Sequence, residues 1–94
     1  MSVEVLLPGV LADLAGGSRR LEVEPADDGT LAGLLDALAA THPVLERRIR
    51  DEAGQVRRFV NVYVDGDDVR FAAGLATAVP AGAVVQVLPS VAGG

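Results

Sequence analysis

Only one stretch of this chain, Thr30 to about Thr41, carries the apolar spacing of a helix several turns long, and strand-like sequence brackets it on both sides. Leu31, Leu34, Leu35 and Leu38 recur at i, i+3, i+4 and i+7, which puts them on one face. Asp36, Ala32 and Gly33 lie off that stripe. Thr30 is placed to act as N-cap, its hydroxyl accepting from the first free amides. The helix should end at His42, because a residue preceding proline is disfavoured in the helical region. His42 is therefore read as a helix-end residue. A single apolar stripe needs a sheet or another helix to cover it, and most of the remaining chain reads as strand.

Val3, Val5 and Leu7 alternate with Glu4 and Leu6 until Pro8-Gly9 breaks the pattern. Val10 to Ser18 reads as a hairpin connection with a helical turn at Leu11 to Leu14. Arg20 to Glu24 alternates again, with Leu21 and Val23 inward, up to Pro25. Pro43 suits the first position of a second short helix over Val44 to Arg50. The longest β-rich run is Val56 to Val64. Asp65-Gly66 marks a type I′ hairpin turn, which needs positive φ at both central residues. Val69-Arg70-Phe71 reads as the short return strand and Val84 to Leu88 as the last one. The expected fold is α+β: a mixed four- to five-stranded sheet with one main helix packed on one face. With no repeat or linker in the chain, residues 1–89 form one domain and residues 90–94 an extended, flexible tail.

Composition narrows the chemistry. Ninety-four residues suffice to bury roughly 60–65% of the unfolded surface. Half of them are hydrophobic, yet the only aromatics are Phe59, Tyr63 and Phe71, so the core is Val, Leu and Ala. There is no cysteine, hence no disulfide, thiolate metal site or cysteine nucleophile. His42 is the only histidine, which excludes a multi-histidine metal centre. No catalytic residue and no metal ligand is assigned. A net charge of −5 argues against nucleic acid as a partner. The N-terminus lacks the basic region of a signal peptide, and no apolar run approaches the ~20 residues of a membrane helix. The expectation is a cytoplasmic protein with no membrane contact.

What remains is the end of the chain. Gly93 and Gly94 follow the last strand, where there is no further turn to make. Without side chains they can carry the terminal carboxylate into a slot that excludes any Cβ. The working group is therefore expected to be the carboxylate of Gly94, with Val91, Ala92 and Gly93 as the threading stem. Ending at the diglycine, the chain should need no processing. Five of the eight arginines (Arg47, Arg48, Arg50, Arg57, Arg58) fall within twelve residues, either a solvated helix end or a docking patch for an acidic partner. Leu75 and Leu88 are read either as core or as an exposed apolar patch beside the tail, with Arg57 and Arg58 near it. Phe59, Tyr63 and Phe71 are expected to pack in or against the core. Asn61, polar in mid-strand, is read as a structural hydrogen-bonder.

The order of elements with a terminal diglycine resembles the ubiquitin-like β-grasp fold. More closely, Arg58-Phe59-Val60-Asn61-Val62-Tyr63-Val64, Asp68-Val69-Arg70-Phe71, Gly74-Leu75-Ala76-Thr77 and Leu88-Pro89-Ser90-Val91-Ala92-Gly93-Gly94 are similar, in order, to sulfur carriers of the ThiS/MoaD family, and among them to the CysO type that serves cysteine biosynthesis. The match is dense over residues 58–94 and holds at pattern level before that; Ser90 stands where alanine is expected. The resemblance implies a non-enzymatic co-substrate that binds no cofactor. An E1-like adenylating enzyme would use ATP to activate Gly94, and sulfur would then be held covalently as a C-terminal thiocarboxylate. A pyridoxal-phosphate-dependent cysteine synthase would accept that sulfur, and a metal-dependent peptidase would release cysteine. The small subunit of molybdopterin synthase and a ubiquitin-like protein modifier are the alternatives of the same shape.

Overall fold

A computed structural model describes residues 2–89. Along the chain it contains β1 (Val3–Leu6), α1 (Gly9–Ala12), β2 (Arg20–Val23), α2 (Leu31–Thr41), α3 (Pro43–Ile49), β3 (Val60–Val64), β4 (Asp67–Asp68) and β5 (Val84–Pro89). The five strands form one sheet in the order β2-β1-β5-β3-β4. Two adjacent inner strands come from opposite ends of the chain: β1 runs parallel to the central β5, pairing Val5 with Val85. The other pairs are antiparallel. This is the mixed sheet expected, with α2 across one face.

The helix stripe is buried as its spacing requires. Leu31, Leu34, Leu35 and Leu38 are at most 2% exposed, packed with Val3, Val5, Val62, Val85 and Val87 from the sheet. Each fully buried Leu or Val contributes about 1.5–3 kcal/mol relative to exposure. α3 adds Leu45 and Ile49 to the same core. His42 stands between the two helices, ending α2 and preceding Pro43 at the first turn of α3.

The start of α2 is tied to two loops. The Gly33 amide donates to Thr30 Oγ1 (3.1 Å), as expected of the cap, and Thr30 N–H and Oγ1–H both donate to Asp28 Oδ1 (3.0 and 2.8 Å). The Leu31 amide donates to the Thr77 carbonyl (2.9 Å), so the long segment before β5 closes the helix end. Gly33 itself is required by close approach: a Cβ there would meet Ala26 Cβ at 2.5 Å and Asp28 Oδ1 at 2.7 Å.

Three expectations are corrected. The return strand is Asp67–Asp68, and Val69–Phe71 is a 3-10 turn in which Asp68 Oδ1 accepts from the Arg70 amide (2.8 Å). The Asp65-Gly66 turn does have positive φ at both residues (49° and 90°), but pairing ends two residues beyond it. The run Val56–Val64 is not one strand: β3 begins at Val60, and Val56 forms only an isolated bridge to Arg50. A turn closed by Val60 N–H on the Arg57 carbonyl (3.1 Å) separates the two. Lastly, Phe59 and Phe71 are not packing residues; they are 55% and 89% exposed, while Tyr63 is half-buried.

Candidate functional site

The antiparallel pairing of β3 with β5 runs out at Val60 opposite Pro89. That pair marks the place from which the last five residues depart. Gly94, Gly93, Ala92 and Val91, the reacting terminus and its stem in the sequence reading, lie outside the described residues. What the structure defines is the ground around their point of departure.

Beside that point is an open groove lined by Asp51, Arg57, Arg58, Phe59 and Val60. It exists because of the turn that precedes β3, which swings Arg57, Arg58 and Phe59 around the strand end. Three side-chain hydrogen bonds hold the turn. Arg70 Nη2 donates to the carbonyls of Val60 (2.7 Å) and Arg58 (3.1 Å), and Arg57 Nε donates to the Arg47 carbonyl (2.7 Å). Asp51 is engaged from its own side, with Oδ1 accepting from the amides of Ala53 (2.9 Å) and Gln55 (3.0 Å). Among the described residues neither Arg57 nor Arg58 pairs with a carboxylate.

The other arginines of the cluster behave differently. Arg50 is drawn inward, with Nε donating to Glu46 Oε2 (2.6 Å) and Nη2 to Asp36 Oδ1 (2.7 Å). Burial works against its charge, but the bonds from Glu46 and then Asp36 outweigh it and raise its pKa above the ordinary arginine value. Arg50 therefore links α2 to α3 and is not part of a surface patch. Arg47 lies 3.8 Å from Glu52, both exposed.

Leu75 and Leu88 do not join Arg57 and Arg58 in one patch. Leu75, half-buried, packs against the core and lines a second groove with Val56, Val62, Val69 and Arg70. Leu88 lies in β5 between buried Val87 and exposed Pro89, opposite Asn61. Since Val85 and Val87 face the helix, alternation puts Leu88, with Asn61 and Tyr63, on the other face of the sheet. Asn61 makes no side-chain hydrogen bond among the described residues. Sequence reasoning passed over Arg70, whose carbonyl contacts span twelve residues and leave no local signal. It also passed over the exposure of Phe59 and Phe71, since aromatics in a β-rich run ordinarily pack. Among the described residues no cluster of three or more His, Asp or Glu side chains could hold a metal ion. No helix there is long and apolar enough to cross a membrane.

A mixed five-stranded sheet crossed by one principal helix, with the chain leaving from the end of a central strand, is the ubiquitin-like β-grasp. Residues 5–94 match the model of the ThiS family, and the chain belongs to that family. It is 40% identical to the sulfur carrier protein CysO of Mycobacterium tuberculosis, over 100% of both chains. It is 38% identical to small archaeal modifier protein 1 of Haloferax volcanii, covering 90% of this chain and 95% of the relative. Its structure superposes with a TM-score of 0.85 on a chain of the Amycolatopsis orientalis BexX/CysO complex, at 36% identity and over 98% and 99% of the two chains.

Proposed function

We propose that this protein is a sulfur carrier whose Gly94 carboxylate is the reacting group. The observation that carries this reading is the 40% identity to CysO over the full length of both chains. With a reference pKa of about 3.3–3.7, the terminal carboxylate is ionised at neutral pH and needs no local base. In an activating E1-like enzyme, its oxygen attacks the α-phosphate of ATP and pyrophosphate leaves. A sulfur nucleophile then attacks the acyl carbon and AMP leaves, giving the thiocarboxylate. All catalysis belongs to partners. This chain supplies an anion at the end of a stem whose last two residues have no Cβ.

The CysO likeness supports the following downstream route. A pyridoxal-phosphate-dependent synthase presents an aminoacrylate derived from O-phosphoserine; the thiocarboxylate sulfur adds to it, and the acyl group migrates to nitrogen. Cysteine is then held at Gly94 by an amide bond, which a metal-dependent peptidase hydrolyses to restore the carboxylate. The likeness to the archaeal modifier supports a second reading, in which the same activated terminus forms amide bonds to protein amines.

Intact-mass and C-terminal peptide spectra of the protein recovered from growing cells discriminate these readings. The carrier reading expects a species heavier by the difference between sulfur and oxygen, mapped to Gly94 and separated from Met1 oxidation. A cysteine residue at Gly94 would support the cysteine route. Branched peptides on other proteins would favour the modifier. A Gly94-deleted chain that still fed its pathway would overturn both.

A further inference from the structure

We propose that the groove lined by Asp51, Arg57, Arg58, Phe59 and Val60 is a docking surface for a short acidic segment of a partner protein, one in which an apolar side chain accompanies the carboxylates. Three observations carry it, all of them on the turn that precedes β3.

The first is uncompensated charge. Among the described residues Arg57 and Arg58 pair with no carboxylate, and the guanidinium of Arg70 beside them is bonded to carbonyls. The carboxylate in the groove, Asp51, already accepts two amide hydrogen bonds. Against this stands the net charge of −5, which repels an acidic partner. Range decides between the two effects. At physiological ionic strength the screening length is about 8 Å, so a group entering the groove responds to the arginines beside it more than to distant carboxylates. The field selects one orientation of approach, and it acts mainly on how fast and in which pose an acidic partner arrives.

The second observation is the ring. Phe59 is 55% exposed between the arginines and Val60. Exposed ion pairs are individually weak, so lasting contact needs apolar cover as well. Aromatic and arginine side chains together are where the energy of protein interfaces concentrates, which is why the occupant must bring an apolar residue. The third is order held in advance. Arg57 Nε is fixed on the Arg47 carbonyl, and Arg70 Nη2 holds the carbonyls of Arg58 and Val60. The backbone that carries the groove is therefore set before a partner arrives, and little ordering opposes docking.

The surroundings limit the occupant to a short segment. Asp65, Asp67 and Asp68 stand at the Val64 end of β3, about 13 Å from Val60. A nucleic-acid strand running along β3 would pass from the arginines into these carboxylates, whereas a segment of a few residues stays clear of them.

The test uses the full chain labelled with nitrogen-15 and a capped hexapeptide of alternating glutamate and leucine. The amide signals of Arg57, Arg58, Phe59 and Val60 should shift saturably, with a dissociation constant of about 1–10 mM. Those of Leu34 and Val85 in the core should stay in place, which also checks that each variant is folded. Arg58→Gln, which leaves the Arg57–Arg47 bond intact, should weaken binding about 2- to 5-fold. Phe59→Ala should weaken it about 5- to 10-fold. Salt at 1 M, where the screening length is about 3 Å, should weaken it at least as much as Arg58→Gln does. The glutamine counterpart of the peptide should bind at least about 5-fold more weakly. No shift at the groove, or shifts that neither substitution changes, overturns the proposal. An oligothymidylate that moves the same amides more tightly than the peptide overturns it as well, because it assigns the groove to nucleic acid. Shifts at these amides on dilution of the chain alone assign it to a second copy, with the same consequence. None of these readouts depends on sulfur loading, so failure here is separate from failure of the carrier reading.

Discussion

The face of the sheet under α2 and the strand end around Phe59 are built by opposite rules. Under the helix every large side chain is aliphatic and nearly fully buried: Leu31, Leu34, Leu35 and Leu38 against Val3, Val5, Val62, Val85 and Val87. At the strand end and the turn after β4, the chain places both of its phenylalanines in solvent, with Arg57, Arg58 and Arg70 among them. Aromatic side chains bring the largest apolar area per residue, and a fold short of them would be expected to bury all it has. Leaving them outside teaches that the stability of this protein is supplied by its aliphatic layer.

That contrast can be broken by substitution. Leu35→Ala should be the most damaging change, because it opens a cavity under the helix. We expect a loss of about 2–5 kcal/mol and a fall in melting temperature of at least about 10 °C. A near-normal thermal midpoint would show that the aliphatic layer is not what holds the fold. Next comes the ion pair that joins the helices. Glu46→Gln leaves Arg50 with only the exposed Asp36 to pair, at an expected cost of about 1–3 kcal/mol in urea unfolding. Asp36→Asn, at the exposed end of the same arginine, should cost less than about 1 kcal/mol.

The helix cap comes third. Thr30→Ala removes the acceptor for the Gly33 amide and should cost about 1 kcal/mol. The same corner also carries a pH signature. The Thr30 amide, and then its hydroxyl, hold the Asp28 carboxyl below the usual carboxylate value. A group whose pKa is lower in the folded state contributes its stability above the unfolded value and loses it as pH falls through the folded one. The melting difference between wild type and Asp28→Asn should therefore be full at pH 5 and above and should shrink as the solution is acidified below about pH 4. A difference that is constant with pH would remove Asp28 from the cap. Smallest of all is Phe71→Ala. At 89% exposure the ring should change stability by no more than about 0.5 kcal/mol. A larger loss would mean that the ring packs in solution and that the two regions are not built by opposite rules.

How much of this was legible depended on the distance over which each decision is made. α2 lies where its leucine spacing, Thr30 and the His42-Pro43 step put it, since all three act within a few residues. The Asp65-Gly66 turn was legible for the same reason. The segment after it was not. Val69-Arg70-Phe71 has strand-like composition, but Asp68 accepts from the Arg70 amide and turns the chain into a 3-10 turn, and Val69 alone goes inward. Likewise Val56 to Phe59 reads as continuous with β3, yet Arg70, from beyond the hairpin, takes the carbonyls of Arg58 and Val60 and stabilises a bend there. The groove at the Val60 end of β3 comes from that bend, so no motif announces it.

By itself, then, the sequence determined the helix and its buried face, the hairpin turn and the aliphatic character of the core. These follow from periodicity, backbone sterics and composition, which neighbouring residues settle among themselves. Only the tertiary structure decided that β1 and β5 lie parallel inside the sheet, that Arg50 belongs to the joint between helices while Arg57 and Arg58 line an open groove, and that both phenylalanines stay outside. Each of those depends on which distant groups compete for the same carbonyl, carboxylate or patch of apolar surface, and that competition exists only once the chain has closed on itself.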